Sequence, residues 1–122
     1  MVLMTRDCTA VLVPDLGSDV VWLVPYCATE GLALEGCAVA QALPPGSGPR
    51  HVALHPALPV LYVLNELSCT LVACATDATG RPLPGAAPFA ATTRVDADRL
   101  CIFGPCWYVS IHLRVSRYHK PS

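Results

Sequence analysis

The sequence predicts an all-β protein, and two observations lead to that prediction. Apolar residues come in short runs separated by Pro, Gly, Asp and Ser, a pattern typical of short strands joined by turns and without helical periodicity. The same pattern also occurs twice, at an offset of fifty residues. A repeat of that length is typical of a solenoid, a propeller or an array. Strands this short at near-regular spacing indicate a β-sandwich, a barrel or a propeller, and the fifty-residue repeat favours the propeller.

The two copies of the repeat can be compared residue by residue. When residues 1–24 are laid over residues 51–74, the apolar run Val11-Leu12-Val13 falls on Leu61-Tyr62-Val63. The turn Asp15-Leu16-Gly17-Ser18 falls on Asn65-Glu66-Leu67-Ser68. Units of this kind bury their apolar faces against one another, and roughly three or more are usually needed for stability. We therefore expect this chain to be part of a larger propeller.

Composition limits the class of protein and of partner. The 122 residues are 53% hydrophobic and 14% charged, which excludes a disordered chain. No apolar run approaches the roughly 20 residues of a membrane helix, and the first residues do not form a secretory signal. We therefore expect a cytoplasmic protein with reduced thiols at its seven cysteines. The net charge of −1 predicts no nucleic-acid partner.

Each copy of the repeat is predicted to form one blade, at about residues 1–45 and 46–93. In the first blade, strands at 9–14 and 19–25 form a hairpin, and a weaker Ala-rich run at 30–43 supplies an outer strand. In the second blade, the strands are predicted at 51–55, 60–64 and 69–75, and residues 81–93 resemble the end of another unit. The prediction is a partial β-propeller of about two four-stranded antiparallel blades.

Residues 94–122 do not continue the repeat and are predicted to be a divergent tail. Apolar and polar residues alternate over residues 107–115, which indicates one extra C-terminal strand. Cys101, Cys106, His112 and His119 could be written as a zinc site. Structural zinc sites favour closer cysteines, so no metal site is predicted.

One stretch of the second copy resembles a known family. Gly46-Ser47-Gly48-Pro49-Arg50-His51, followed by Val63-Leu64-Asn65-Glu66-Leu67-Ser68, resembles the lactonase family of seven-bladed β-propellers. That family includes propeller-type 6-phosphogluconolactonases and carboxy-muconate lactonising enzymes. The resemblance covers about residues 1–93, because Val13-Pro14-Asp15-Leu16-Gly17-Ser18-Asp19 looks like the corresponding element of the preceding blade.

The resemblance implies which residues act on a substrate. It places Arg50 and Glu66, sixteen residues apart, in the family's central active-site group, with a sugar-phosphate lactone as substrate and no cofactor. Glu66 would be the general base toward water, and Arg50 would hold the developing oxyanion or an anionic group. Without the resemblance, the same two residues would be read as a surface ion pair.

Neighbouring residues are weaker candidates. His51 and Asn65 are candidates for substrate binding, although strand alternation would turn His51 away from Arg50, and Asn65 could equally serve the turn. His55, followed by Pro56, is predicted to be a hydrogen-bonding turn residue.

The resemblance also implies what the chain lacks. The family's catalytic histidine would fall one residue before Met1, and seven blades would need about 350 residues. We therefore expect no activity from this chain alone. Two alternatives stay open: a non-catalytic binding or assembly module that associates through exposed blade edges, and a muconate-type cycloisomerase.

Overall fold

The computed structural model describes residues 1–89, and these form an all-β structure as predicted. The predicted tail at 94–122, its strand at 107–115 and the cysteines and histidines considered for zinc lie outside the described residues. The strands, in chain order, are β1 Leu3–Met4, β2 Ala10–Asp15, β3 Val20–Cys27, β4 Gly31–Leu32, β5 Ala38–Ala42, β6 Pro49–Leu54, β7 Val60–Asn65 and β8 Thr70–Ala75.

The first blade is an antiparallel sheet built around β3. Strand β2 pairs with β1 on one side and with β3 on the other, with Val11 opposite Val24. The other edge of β3 is shared by the short β4 and by β5, which pairs Val20 with Ala42. The Ala-rich run is therefore an outer strand, preceded by a single 3-10 turn at Leu34–Gly36.

The second blade repeats the arrangement with β6, β7 and β8 in sequential antiparallel order. A fourth position begins beyond β8. Thr76 forms an isolated bridge with Pro82, and the amides of Leu83 and Phe89 donate to the carbonyls of Ala75 and Ala73, both at 3.0 Å. The outer edge of β8 is thus partly covered by residues 82–89.

The core lies between the two sheets. One cluster joins side chains of both blades and of the segment between them: Leu12, Val21, Leu43, Val52, Leu61, Val63, Val72 and Cys74. Burying one such aliphatic side chain stabilises the fold by roughly 1.5–3 kcal/mol. Burial also raises the pKa of the Cys74 thiol to about 11, so this cysteine behaves as a small apolar residue.

Two arginines connect the blades at the edge where β2 begins, which we call the far edge. The Arg6 guanidinium of the first blade donates to carbonyl oxygens of the second blade, namely those of His55 at 2.5 Å, Leu58 at 3.1 Å and Ala78 at 3.4 Å. In return, Arg81 of the second blade donates to the Thr9 hydroxyl and lies 3.6 Å from the Asp7 carboxylate. At the far edge, each blade therefore contributes one arginine that bonds to the other blade.

Two further observations concern the cysteines and the helices of residues 1–89. Cys8, Cys27, Cys37, Cys69 and Cys74 are all free cysteines. Within residues 1–89, no helix is long and apolar enough to cross a membrane.

Candidate functional site

The two predicted catalytic residues meet at the opposite edge, where β7 ends and β6 begins. Arg50 is the second residue of β6, and Glu66 directly follows β7. The Arg50 Nη1 donates to the Glu66 Oε2 in an ion pair. The Arg50 and Glu66 side chains are 34% and 29% exposed. The protein therefore shields most of the pair from solvent, and a ligand can still reach it.

A β-bulge shapes the start of β6. Pro49 pairs with Asn65 and His51 pairs with Leu64, which leaves Arg50 as an extra residue without a partner of its own. Bulges interrupt the side-chain alternation of a strand and redirect the residues within them. Pro49 and Val52 are consequently both buried while Arg50 and His51 between them are partly exposed, so simple alternation does not describe this segment.

The loop before β6 lies against the turn that carries Glu66. The Glu66 amide donates to the Gly48 carbonyl at 2.7 Å, and the Ser68 amide donates to the Ser47 carbonyl at 3.2 Å. Gly48 has a φ of 62°, and a Cβ added there would lie 2.4 Å from the Leu67 Cγ. Only glycine fits this close approach between the loop and the turn.

His51 lies next to the ion pair and is partly buried. Burial lowers the pKa of its imidazole, the positive charges of the amino terminus and Arg50 lower it further, and Glu66 partly opposes them. The ring is therefore neutral at pH 7, with one nitrogen able to accept a hydrogen bond. The Met1 nitrogen lies 3.4 Å from the Arg50 carbonyl oxygen, so the beginning of this sequence is adjacent to the site.

Asn65 and His55 make contacts within their own hairpins. Asn65 is 1% exposed, and its Nδ2 donates to the Thr70 hydroxyl at 3.0 Å across the β7–β8 turn. The His55 Nδ1 accepts from the amides of Ala57 and Leu58 at 3.0 and 2.9 Å, which confirms the predicted turn role. The structure gives Asn65 no hydrogen bond to the Glu66 carboxylate among the described residues.

The sequence of this molecule matches a known protein family. The sequence model described as "Lactonase, 7-bladed beta-propeller" matches residues 1–94. The chain belongs to this lactonase family. No curated protein and no solved structure matches it significantly.

Membership of the lactonase family confirms the resemblance seen in the sequence. The match includes both described sheets and both charged residues, and residues 95–122 lie beyond it. The Arg50–Glu66 ion pair thus lies within the matched residues. A fixed guanidinium beside a carboxylate is suited to holding an anionic group next to a site of proton transfer.

Proposed function

We propose that Arg50 and Glu66 form part of a site that binds and opens a sugar-phosphate lactone, specifically 6-phosphogluconolactone. The observation that carries this proposal is the ion pair itself. Arg50 lies on β6 and Glu66 directly follows the adjacent strand β7. The two residues are sixteen positions apart in the sequence, are partly exposed, and belong to a lactonase-family chain.

The chemistry needed is the addition of water to an ester carbonyl. The Glu66 carboxylate would accept a proton from water as the oxygen attacks the carbonyl carbon. The Arg50 guanidinium would stabilise the negative charge that develops on the carbonyl oxygen, or hold the phosphate. The ring C–O bond then breaks, and the proton passes to the departing ring oxygen, which leaves an open-chain hydroxy acid.

The first test is binding of the product, 6-phosphogluconate, by the 122-residue chain. We expect calorimetric titration to detect binding that Arg50→Ala weakens by about tenfold to a hundredfold, because a charge-assisted contact to an anion is lost. Glu35→Gln is the matched control, since Glu35 lies in the exposed 3-10 turn of the first blade. Equal affinity for the unsubstituted chain and Arg50→Ala would contradict the proposed site.

Turnover is a separate measurement on the same chain. We expect lactone hydrolysis no faster than the spontaneous reaction, because the described residues form only two sheets of a fold that has seven blades. Hydrolysis above the spontaneous rate that disappears in Glu66→Gln would show this expectation of inactivity to be wrong and would support Glu66 as the base.

A further inference from the structure

A residue of the first blade reaches the loop that leads to Arg50. Asp19 is the last residue of the turn between β2 and β3 and has a φ of 57°. Its carboxylate accepts hydrogen bonds from two backbone amides of the loop before β6: Oδ2 from Gly46 at 2.8 Å and Oδ1 from Gly48 at 2.7 Å. These contacts span 27 and 29 residues of sequence.

The backbone of Asp19 holds the same segment a second time. Its carbonyl oxygen accepts from the Leu43 amide at 3.0 Å. Residues 43–48, which connect the two blades, are therefore bound to Asp19 at their beginning and at their end. We call this segment the connector.

The connector links Asp19 to both Arg50 and Glu66. The Gly48 amide donates to the Asp19 carboxylate, and the Gly48 carbonyl oxygen accepts from the Glu66 amide at 2.7 Å. Arg50 follows two residues later, at the bulge. Because Gly48 lies against Leu67 with no room for a Cβ, a shift of the connector would move the Glu66 turn and the start of β6 together.

The second blade shows that the turn itself does not need a carboxylate at this position. Fifty residues later, the equivalent position is Cys69, whose φ of 52° matches that of Asp19. The Cys69 contacts stay within its own turn, where its amide and its Sγ lie 3.4 and 3.5 Å from the Glu66 carbonyl oxygen. The carboxylate of Asp19 thus serves the connector and not the shape of the hairpin.

We propose that Asp19 is a positioning residue for the Arg50–Glu66 pair, acting through the connector to fix the place of both charges. The proposal rests on the proposed function only in treating that pair as the site. A carboxylate is suited to the task, because each of its two oxygens accepts one backbone N–H, whereas a side-chain amide has only one accepting oxygen. The hydrogen bonds to Gly48 and Gly46 also lower the pKa of Asp19, so the carboxylate is ionised at neutral pH.

The test compares two substitutions of Asp19 by NMR of the arginine side chain. Asp19→Asn keeps the size of the side chain and the tolerance for positive φ. It replaces one accepting oxygen by an NH2 group, which then faces the backbone N–H of Gly46 or Gly48. Asp19→Gly removes the side chain and suits the turn backbone better, so it guards against failure of the hairpin to fold. We expect exchange of the Arg50 Nη protons with water to become about tenfold faster in both variants, as expected when the hydrogen bond from Arg50 Nη1 to the Glu66 carboxylate is lost.

Asp15→Asn is the matched control in the same turn. Asp15 accepts from the Gly17 amide, the Ser18 hydroxyl and the Trp22 indole, all within the first blade. We expect it to leave the exchange of the Arg50 Nη protons within about twofold of the unsubstituted chain. Unchanged Arg50 exchange in both folded Asp19 variants, or an equal change in Asp15→Asn, would overturn the proposal.

The measurement also separates this proposal from the proposed function. Exchange of the Arg50 Nη protons is recorded without ligand, so it decides the role of Asp19 even for a chain that binds no 6-phosphogluconate. In a chain that does bind it, we expect Asp19→Asn to weaken binding about threefold to tenfold and Asp15→Asn to leave it unchanged.

Discussion

Single aspartates hold the turns of this protein, and Asp7 shows how. Its carboxylate accepts from the Thr5 hydroxyl at 2.6 Å and the Thr9 hydroxyl at 2.7 Å, and the Arg81 guanidinium lies 3.6 Å away. Hydrogen bonds from Thr5 and then Thr9 lower the pKa of Asp7 from 3.8 to about 2, with a smaller contribution from the charge of Arg81. Asp7 therefore stabilises the fold only while it is ionised.

This shift predicts a dependence of stability on acid. The folded pKa is below the unfolded one, so the contribution of Asp7 is complete above the unfolded pKa of 3.8 and is lost as the pH falls toward about 2. We expect the urea midpoint to fall between pH 5 and pH 2.5, and to fall less in Asp7→Asn. Parallel curves for the two proteins would show that Asp7 makes no such contribution.

At the scale of elements, the decisive contact is the approach of the connector to the Glu66 turn. Gly48→Ala adds a Cβ to a residue with a positive φ. This Cβ would clash with the Leu67 side chain at its Cβ and Cγ, the carbons nearest the Leu67 backbone. We expect a loss of about 2–4 kcal/mol in the free energy of unfolding, from the left-handed backbone and the clash together. Urea denaturation measures this loss.

Gly46→Ala is the matched control for that experiment. Gly46 has a φ of 83° in the same loop, but a Cβ there would meet nothing within 4 Å. We expect a loss of only about 1–2 kcal/mol, due to the backbone conformation alone. Equal losses in the two variants would show that the contact with Leu67 contributes nothing.

The elements themselves were largely predictable, and the site was predictable only in part. Gly and Asp or Ser mark the turn before β3, and the fifty-residue offset places the Ala-rich run as an outer strand. The bulge at Arg50 was missed, because alternation assumes an unbroken strand register. The Asp19 contacts were also missed, since they depend on how two blades pack. The one available signal was the fifty-residue offset, which aligns Asp19 of the first copy with Cys69 of the second.

At the scale of the whole molecule, the far edge joins the blades through Arg6. Its planar guanidinium satisfies three carbonyl oxygens of the second blade at once. We expect Arg6→Ala to lower the free energy of unfolding by about 1–2 kcal/mol, because hydrogen bonds to a charged group contribute roughly 1.5–3 kcal/mol and exposure to solvent reduces that contribution. Arg6→Lys keeps the charge and most of the stem but cannot reproduce the fork, so we expect it to recover less than half of the loss. Full recovery by lysine would show that charge alone is sufficient.

Both charges of the candidate site lie within one short segment, residues 50–66, which runs from the start of β6 to the residue after β7, and this has a consequence for how such a protein evolves. Duplication of that segment would copy the whole ion pair in one event, and either copy could then lose it by point substitution while its strands stayed intact. The first blade of this chain has Leu16 at the position equivalent to Glu66, so it keeps the strands without that carboxylate. In a molecule made of repeated hairpins, chemistry can therefore be inherited by one unit while its sister unit keeps only the scaffold.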